Sequence, residues 1–207
     1  MDSADPDEEH LFGVEQMLGY LDELDDLLGQ QDLAEPVRLY IGGGAAMSTM
    51  YKQRFTNDVD VMSEGMTAEV RAAAEQVSQR HEGLGSRWLN DDAKVVRVNV
   101  TMDERLIFEG RSLSVYAAGP RYLLAAKLTA GRPSDENDCE ELIRKLRIRD
   151  ESELLDLIEE ALPARLRTPG MEYFAMERLA NARKGKWRLR FKEWRSRRAS
   201  RSGSSGV

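Results

Sequence analysis

The chain has 207 residues, 41% of them apolar and 32% charged, a balance that suits a soluble globular protein and argues against a disordered one. No apolar run approaches the ~20 residues of a membrane span, and the acidic start lacks the basic and apolar regions of a secretory leader. A single cysteine, Cys139, excludes an internal disulfide, so a reducing, cytoplasmic location is expected. The net charge of -7 conceals two blocks: residues 1–37 hold twelve acids and no Lys or Arg, whereas residues 183–201 hold ten bases and one acid. Blocks of opposite sign imply separate tasks or mutual attraction.

A first helix is predicted from about Pro6 to Leu28, with Asp5 as its cap, an acidic first turn, and Leu11, Val14, Met17, Leu18, Leu21 and Leu28 on one face. Gly29 is its stop. The β-prone run Val37-Arg38-Leu39-Tyr40-Ile41 breaks at Gly42-Gly43-Gly44, and Ala45 to Lys52 reads as a helix starting at those glycines. Asp58-Val59-Asp60-Val61-Met62 reads as a second strand, followed by a helix over Thr67–Gln79. Further strands are expected at 95–100, 105–109 and 112–116, arranged as hairpins. After Pro120 the texture is helical, at Tyr122–Ala130, Asp135–Leu146, Glu151–Ala161 and from about Pro169 into the basic tail. The order implies an α+β fold: a mixed β-sheet flanked by helices, with a helical C-terminal part. Its expected divisions are an acidic helix at 1–36, a core at 37–118, a helical part at 119–182 and a basic tail at 183–207.

A strand, a glycine turn and a helix offer a phosphate site, because glycine lets the backbone approach and the helix start presents free N–H groups. Asp58 and Asp60, two apart in a strand, project from one face. Like charges so placed repel unless a cation joins them, and hard oxygen ligands on a phosphate scaffold point to Mg²⁺. The bland reading is two solvated aspartates at a strand edge, but Val59, Val61 and Met62 carry this strand into a core. The dinucleotide fingerprint fails at Met47, and the Lys-Ser/Thr of a P-loop is absent.

Gly42-Gly43-Gly44-Ala45-Ala46 followed by Arg54-Phe55-Thr56-Asn57-Asp58-Val59-Asp60 resembles the signature of the DNA polymerase beta-type nucleotidyltransferase superfamily. More narrowly, the chain resembles a bacterial group of nucleotidyltransferase-like proteins related to AbiEii-type toxins. Trp88-Leu89-Asn90-Asp91, and Leu123-Leu124-Ala125-Ala126-Lys127-Leu128 leading to Gly131-Arg132, Asp135 and Asp138, extend the match over about residues 37–150. The resemblance implies a nucleotidyltransferase fold that moves a nucleoside monophosphate from an NTP to an RNA or protein acceptor, as part of a toxin–antitoxin pair. It gives Gly43 and Gly44 to the triphosphate, Asp58 and Asp60 to Mg²⁺, Lys127 to the phosphates, and Asp138, or in second place Asp135, to the acceptor or to Lys127. Arg54 and Thr56 brace the loop, and Asn90 and Asp91 are further site candidates.

Two departures stand out. The turn lacks the serine of many superfamily members, and the third carboxylate has only Asp103 and Glu109 as candidates, neither in a distinctive motif. That gives weight to one-metal chemistry, or to a fold without catalysis that binds RNA or a partner protein. Bland readings remain beside these: Lys127 snorkelling to the surface, Asp135 and Asp138 as ordinary first-turn acids, His10 and His81 on the surface, and Cys139 and Trp88 in the core. In the tail, Trp187, Phe191 and Trp194 among cations suit either an RNA-binding arm for a tRNA-like acceptor or an aromatic stripe docked on the core.

Overall fold

The computed structural model describes residues 11–31, 33–51, 54–62, 65–92, 98–100 and 103–184. The expected helix start at Pro6, the strand positions 95–97 and the tail beyond Lys184 lie outside the described residues. Two compact units divide the chain, one from residues 1–97 and 101–123, the other from 98–100 and 124–207.

In the first unit, α1 spans Val14–Leu28, with Gly29 at its C-cap as its composition predicts. The predicted N-terminal part is corrected: Leu11, Phe12 and Gly13 are not helical. Phe12 instead exchanges two backbone hydrogen bonds with Thr56, at 2.8 and 3.1 Å, so the strand pairing displaces the first turn. The Gln16 side chain accepts from Gly13 N–H at 3.2 Å and caps the start. Then follow β1 (Val37–Ile41), α2 (Gly43–Met50), β2 (Val59–Asp60), α3 (Ala68–Arg80), β3 (Leu89–Asn90), β4 (Arg105–Glu109) and β5 (Leu113–Ala117). Thr67 caps α3, its hydroxyl accepting from Val70 N–H.

Strand β5 lies between β1, to which it is parallel, and β4, to which it is antiparallel. Strands β2 and β3 are parallel, and an antiparallel bridge between Ile41 and Val61 joins them to β1. The result is a mixed sheet in the order β4-β5-β1-β2-β3. Alternation along β1 and β5 buries Leu39, Ile41, Leu113, Val115 and Ala117. Between them Tyr40 and Tyr116, paired in register, stack with ring centroids 5.2 Å apart. Met17, Leu21, Leu24 and Leu28 of α1 and Val70, Ala73 and Val77 of α3 complete the core. Trp88 is buried there and donates its indole N–H to Ala74 O at 2.9 Å, a bond that satisfies its polar atom. His81 corrects the surface expectation. It is half-buried, bonded to Glu23 at 2.6 Å, with its ring 4.8 Å from that of Tyr20.

The second unit is helical, with α4 (Pro120–Ala130) straddling its boundary, α5 (Glu136–Leu146), α6 (Glu151–Ala161) and α7 over residues 169–184. Asp150 caps α6 by accepting from Glu153 N–H at 3.0 Å. Buried Leu142, Ile143, Leu154, Leu157, Ile158, Ala175 and Leu179 form its core. Residues 98–100 are not a strand here: Asn99 N–H donates to Ala161 O at the end of α6, so the expected strand is overridden by a contact with a helix terminus. No helix among the described residues is long and apolar enough to cross a membrane.

One buried carboxylate fixes the β4–β5 turn. Asp25 of α1, 9% exposed, accepts from Ser112 N–H at 2.7 Å and Arg111 N–H at 3.1 Å. Removing it takes the acceptor from both turn amides. Asp25→Ala is expected to lower stability by about 2–3 kcal/mol in urea unfolding, and Asp25→Asn, which retains one carbonyl acceptor, by less.

Candidate functional site

The site grows from the point where β1 ends. Gly42 N–H donates to Asp60 O at 2.9 Å, and Met62 N–H donates to Tyr40 O at 2.7 Å, so the glycine turn and the aspartate strand are one hydrogen-bonded unit. Helix α2 begins at Gly43, two residues before the expected start, because glycine supplies the backbone shape that the turn requires. Gly43 has φ +55°, and a Cβ there would run into the Asp60 carboxylate. The first-turn N–H groups of α2 have no intrahelical acceptor, and Gly43 and Gly44 are only half-buried. This end of the sheet therefore presents amide donors beside carboxylates.

Along β2, Val59 and Val61 are fully buried, whereas Asp58 and Asp60 are half-buried, which places both carboxylates on the face away from the core. Asp58 is held twice. Thr56 Oγ1 donates to its carbonyl at 3.0 Å, and Asn90 Nδ2 donates to its Oδ2 at 3.2 Å. Asn90 stands opposite Asp60 in the β2–β3 register. Asp91, the neighbouring candidate, pairs with Arg71 at 2.7 Å. Arg54 enters the same loop, its N–H donating to Tyr51 O at 3.0 Å. In the first unit the structure thus brings together Gly43, Gly44, Thr56, Asp58, Asp60 and Asn90.

The two candidates for a third carboxylate separate cleanly. Glu109 pairs with Ser114 at the start of β5, the opposite end of the sheet. Asp103 precedes β4 and packs against Gly119, at the same end as the glycine turn. It is nonetheless three strands from β2, about 14 Å by a ~4.8 Å strand spacing. Among the described residues no cluster of three or more His, Cys, Asp or Glu is arranged to hold a metal ion. Two carboxylate groups, phosphate oxygens and water are still an adequate shell for one Mg²⁺, and the donor set of Asp58 and Asp60 fits it.

The second unit carries its own charged cluster. Lys127, 9% exposed, reaches Asp135 at 2.5 Å and Asp138 at 2.9 Å, so both named acids hold the lysine, and it does not snorkel. Asp135 gains its place from the turn at Pro133–Asp135 that leads into α5. Sequence reasoning missed Arg178 of α7. It is 3% exposed and pairs with Glu136 and with Glu177 at 2.8 Å, its guanidinium 5.3 Å from the centre of the Phe174 ring. The signal was present, an arginine embedded among Ala175, Leu179 and Ala182, the buried stripe of a helix.

Residues 15–165 match the family described as a nucleotidyltransferase of unknown function, DUF6036. The chain belongs to that family. No curated protein and no solved structure is detectably similar to it. The packing around the turn gives a physical setting for the missing serine. A Cβ at Gly44 would lie 2.8 Å from Thr56 Oγ1, so the threonine hydroxyl already fills the space that a side chain at position 44 needs. Gly44→Ser is expected to lower the melting temperature by several degrees in the wild type and by much less in a Thr56→Ala background, where the hydroxyl it meets is gone. An additive double variant in thermal unfolding would show that the two side chains do not compete.

Cys139 is fully buried beside the charged cluster. Burial, and then the negative charge of Asp135, push its thiol from an ordinary 9.0 up to about 12. A raised value in the folded state stabilises the fold fully below the unfolded value, and that contribution is lost as pH rises from 9.0 towards about 12. At pH 8.5 the native thiol should therefore alkylate with iodoacetamide far more slowly than in guanidinium, as mass spectrometry can follow.

Proposed function

We propose that the protein is a Mg²⁺-dependent enzyme that transfers a nucleoside monophosphate from an NTP to an RNA or protein hydroxyl. The observation that carries this reading is the hydrogen-bonded union of the α2 N-terminus with the Asp58/Asp60 strand. Amide donors for phosphate and oxygen ligands for a cation meet at one sheet end. Gly43 and Gly44 receive the triphosphate through their N–H groups. Asp58 and Asp60 hold Mg²⁺, which, when bound, neutralises the phosphate oxygens and favours departure of pyrophosphate. The acceptor oxygen attacks the α-phosphorus and gives its proton to solvent water, while the bond to the β-phosphate breaks and pyrophosphate leaves. Thr56 and Asn90 keep Asp58 in place through this step. Asp138 is assigned to holding Lys127, a role that their ion pair supports.

The basic, aromatic tail of the sequence suits an RNA such as tRNA as acceptor, and the resemblance to AbiEii-type proteins suits a role as one half of a toxin–antitoxin pair. Incubation with each α-³²P-labelled NTP, Mg²⁺ and total bacterial RNA, followed by a denaturing gel, tests both chemistry and acceptor. A labelled RNA or protein band is expected with the wild type, and none with Asp58→Ala or Asp60→Ala. If these variants bind Mg-NTP as tightly as the wild type, the site is misplaced. Binding of NTP or RNA without any label would identify the fold as a recognition module instead.

A further inference from the structure

We infer that Asn90 is the positioning residue of this site, a neutral clamp that aims the Asp58 carboxylate at the cation and does not itself touch the nucleotide. The inference rests on the reading of Asp58 and Asp60 as cation ligands. Asn90 is 6% exposed, and its amide is committed to protein partners. Nδ2 donates to Asp58 Oδ2 at 3.2 Å and, more weakly, to Arg87 O at 3.4 Å, while Oδ1 accepts from Asp92 N–H at 2.9 Å. Its carbonyl is also taken, by Val61 N–H just after β2, at 2.7 Å. An amide whose two donors and acceptor are all used inside the protein has little left to offer a ligand.

The clamp is itself braced. Arg87 and Asp92, the two residues whose backbones bond the Asn90 side chain, form an ion pair at 2.6 Å across it. Asp91 is tied to α3 through Arg71. An amide is the appropriate group at this position. It offers Asp58 an N–H without adding a third negative charge opposite Asp60, and without a cationic side chain that would compete with the metal. Only one oxygen of Asp58 is engaged; among the described residues nothing donates to the other, Oδ1, which leaves it for the cation. Outer partners of this kind orient ligand oxygens, and their loss commonly costs 10–100-fold in metal affinity.

Mn²⁺ binding to the full-length protein without nucleotide, read by electron paramagnetic resonance, tests the assignment, with circular dichroism to verify folding. Asn90→Ala is expected to weaken Mn²⁺ about tenfold. The near-isosteric Asn90→Leu, which retains packing but no donor, should do the same. In the Asp58→Ala background, Asn90→Ala should add less than twofold, because the residue it positions is gone. Wild-type Mn²⁺ affinity in both Asn90 variants, alongside loss in Asp58→Ala, overturns the clamp and leaves the site reading intact. A further tenfold loss in the Asp58→Ala background overturns it as well, since Asn90 would then act on the fold at large. If Asp58→Ala binds Mn²⁺ like the wild type, the site reading itself fails, and the clamp fails with it.

Discussion

The Gly42 N–H bond to the Asp60 carbonyl is the constraint around which the first unit is arranged. It joins the end of β1 to the end of β2, so the turn that opens α2 and the strand that carries the aspartates have a common register. That register requires the side chain of Asp60 to lie against Gly43, which only glycine permits at φ +55°. The backbone of the turn and the carboxylates of β2 are consequently not independent features. A change in either must be absorbed by the other, because protein interiors do not yield continuously to added volume.

Around this junction the fold spends several polar contacts on fixing oxygen atoms. Thr56 holds the backbone of Asp58, Asn90 its carboxylate, and Phe12 holds Thr56 through a pair of main-chain bonds. Each of these arrives from a different element, and each is separated from Asp58 in sequence by a different distance. Preorganisation of this kind is useful where charge must be stabilised without rearrangement of the surroundings. Buried Val59 and Val61 alternate with the two aspartates, so the core anchors this segment and the segment presents the charges.

The second unit uses buried charge differently. Lys127 and Arg178 are both nearly inaccessible, and each is surrounded by carboxylates from neighbouring segments. Buried cations persist only when paired, and replacing one partner leaves an uncompensated charge that costs more than the pair contributes. The helices α4, α5 and α7 are thereby held to particular registers, which apolar packing alone specifies less sharply. Cys139 between these groups is shielded from solvent, and burial pushes its thiol up, away from the reactive thiolate.

Much of this was legible in the residues. The helices α3, α5 and α6, the stop at Gly29, the β4–β5 hairpin and the glycine turn before paired aspartates all follow from local rules, because caps, periodicity and turn residues act over a few positions. The family was legible for the same reason: Gly42–Gly44 and Asp58-Val59-Asp60 are short, contiguous signals. Strand β3 escaped, since two residues have no periodicity, and so did the unwinding of Leu11 to Gly13, which depends on Thr56 more than forty residues away. Asn90 was a site candidate from its position, but its bond to Asp58 exists only because β2 and β3 pair in parallel with Asn90 beside Asp60. Likewise, the reason that position 44 is glycine lies in the Thr56 hydroxyl opposite it. By itself the sequence determined which chemical groups are present and which segments they ride on. Only the tertiary structure decided which of them touch, because hydrogen bonds and steric exclusion between distant segments are set by sheet register and helix packing, and no local pattern encodes these.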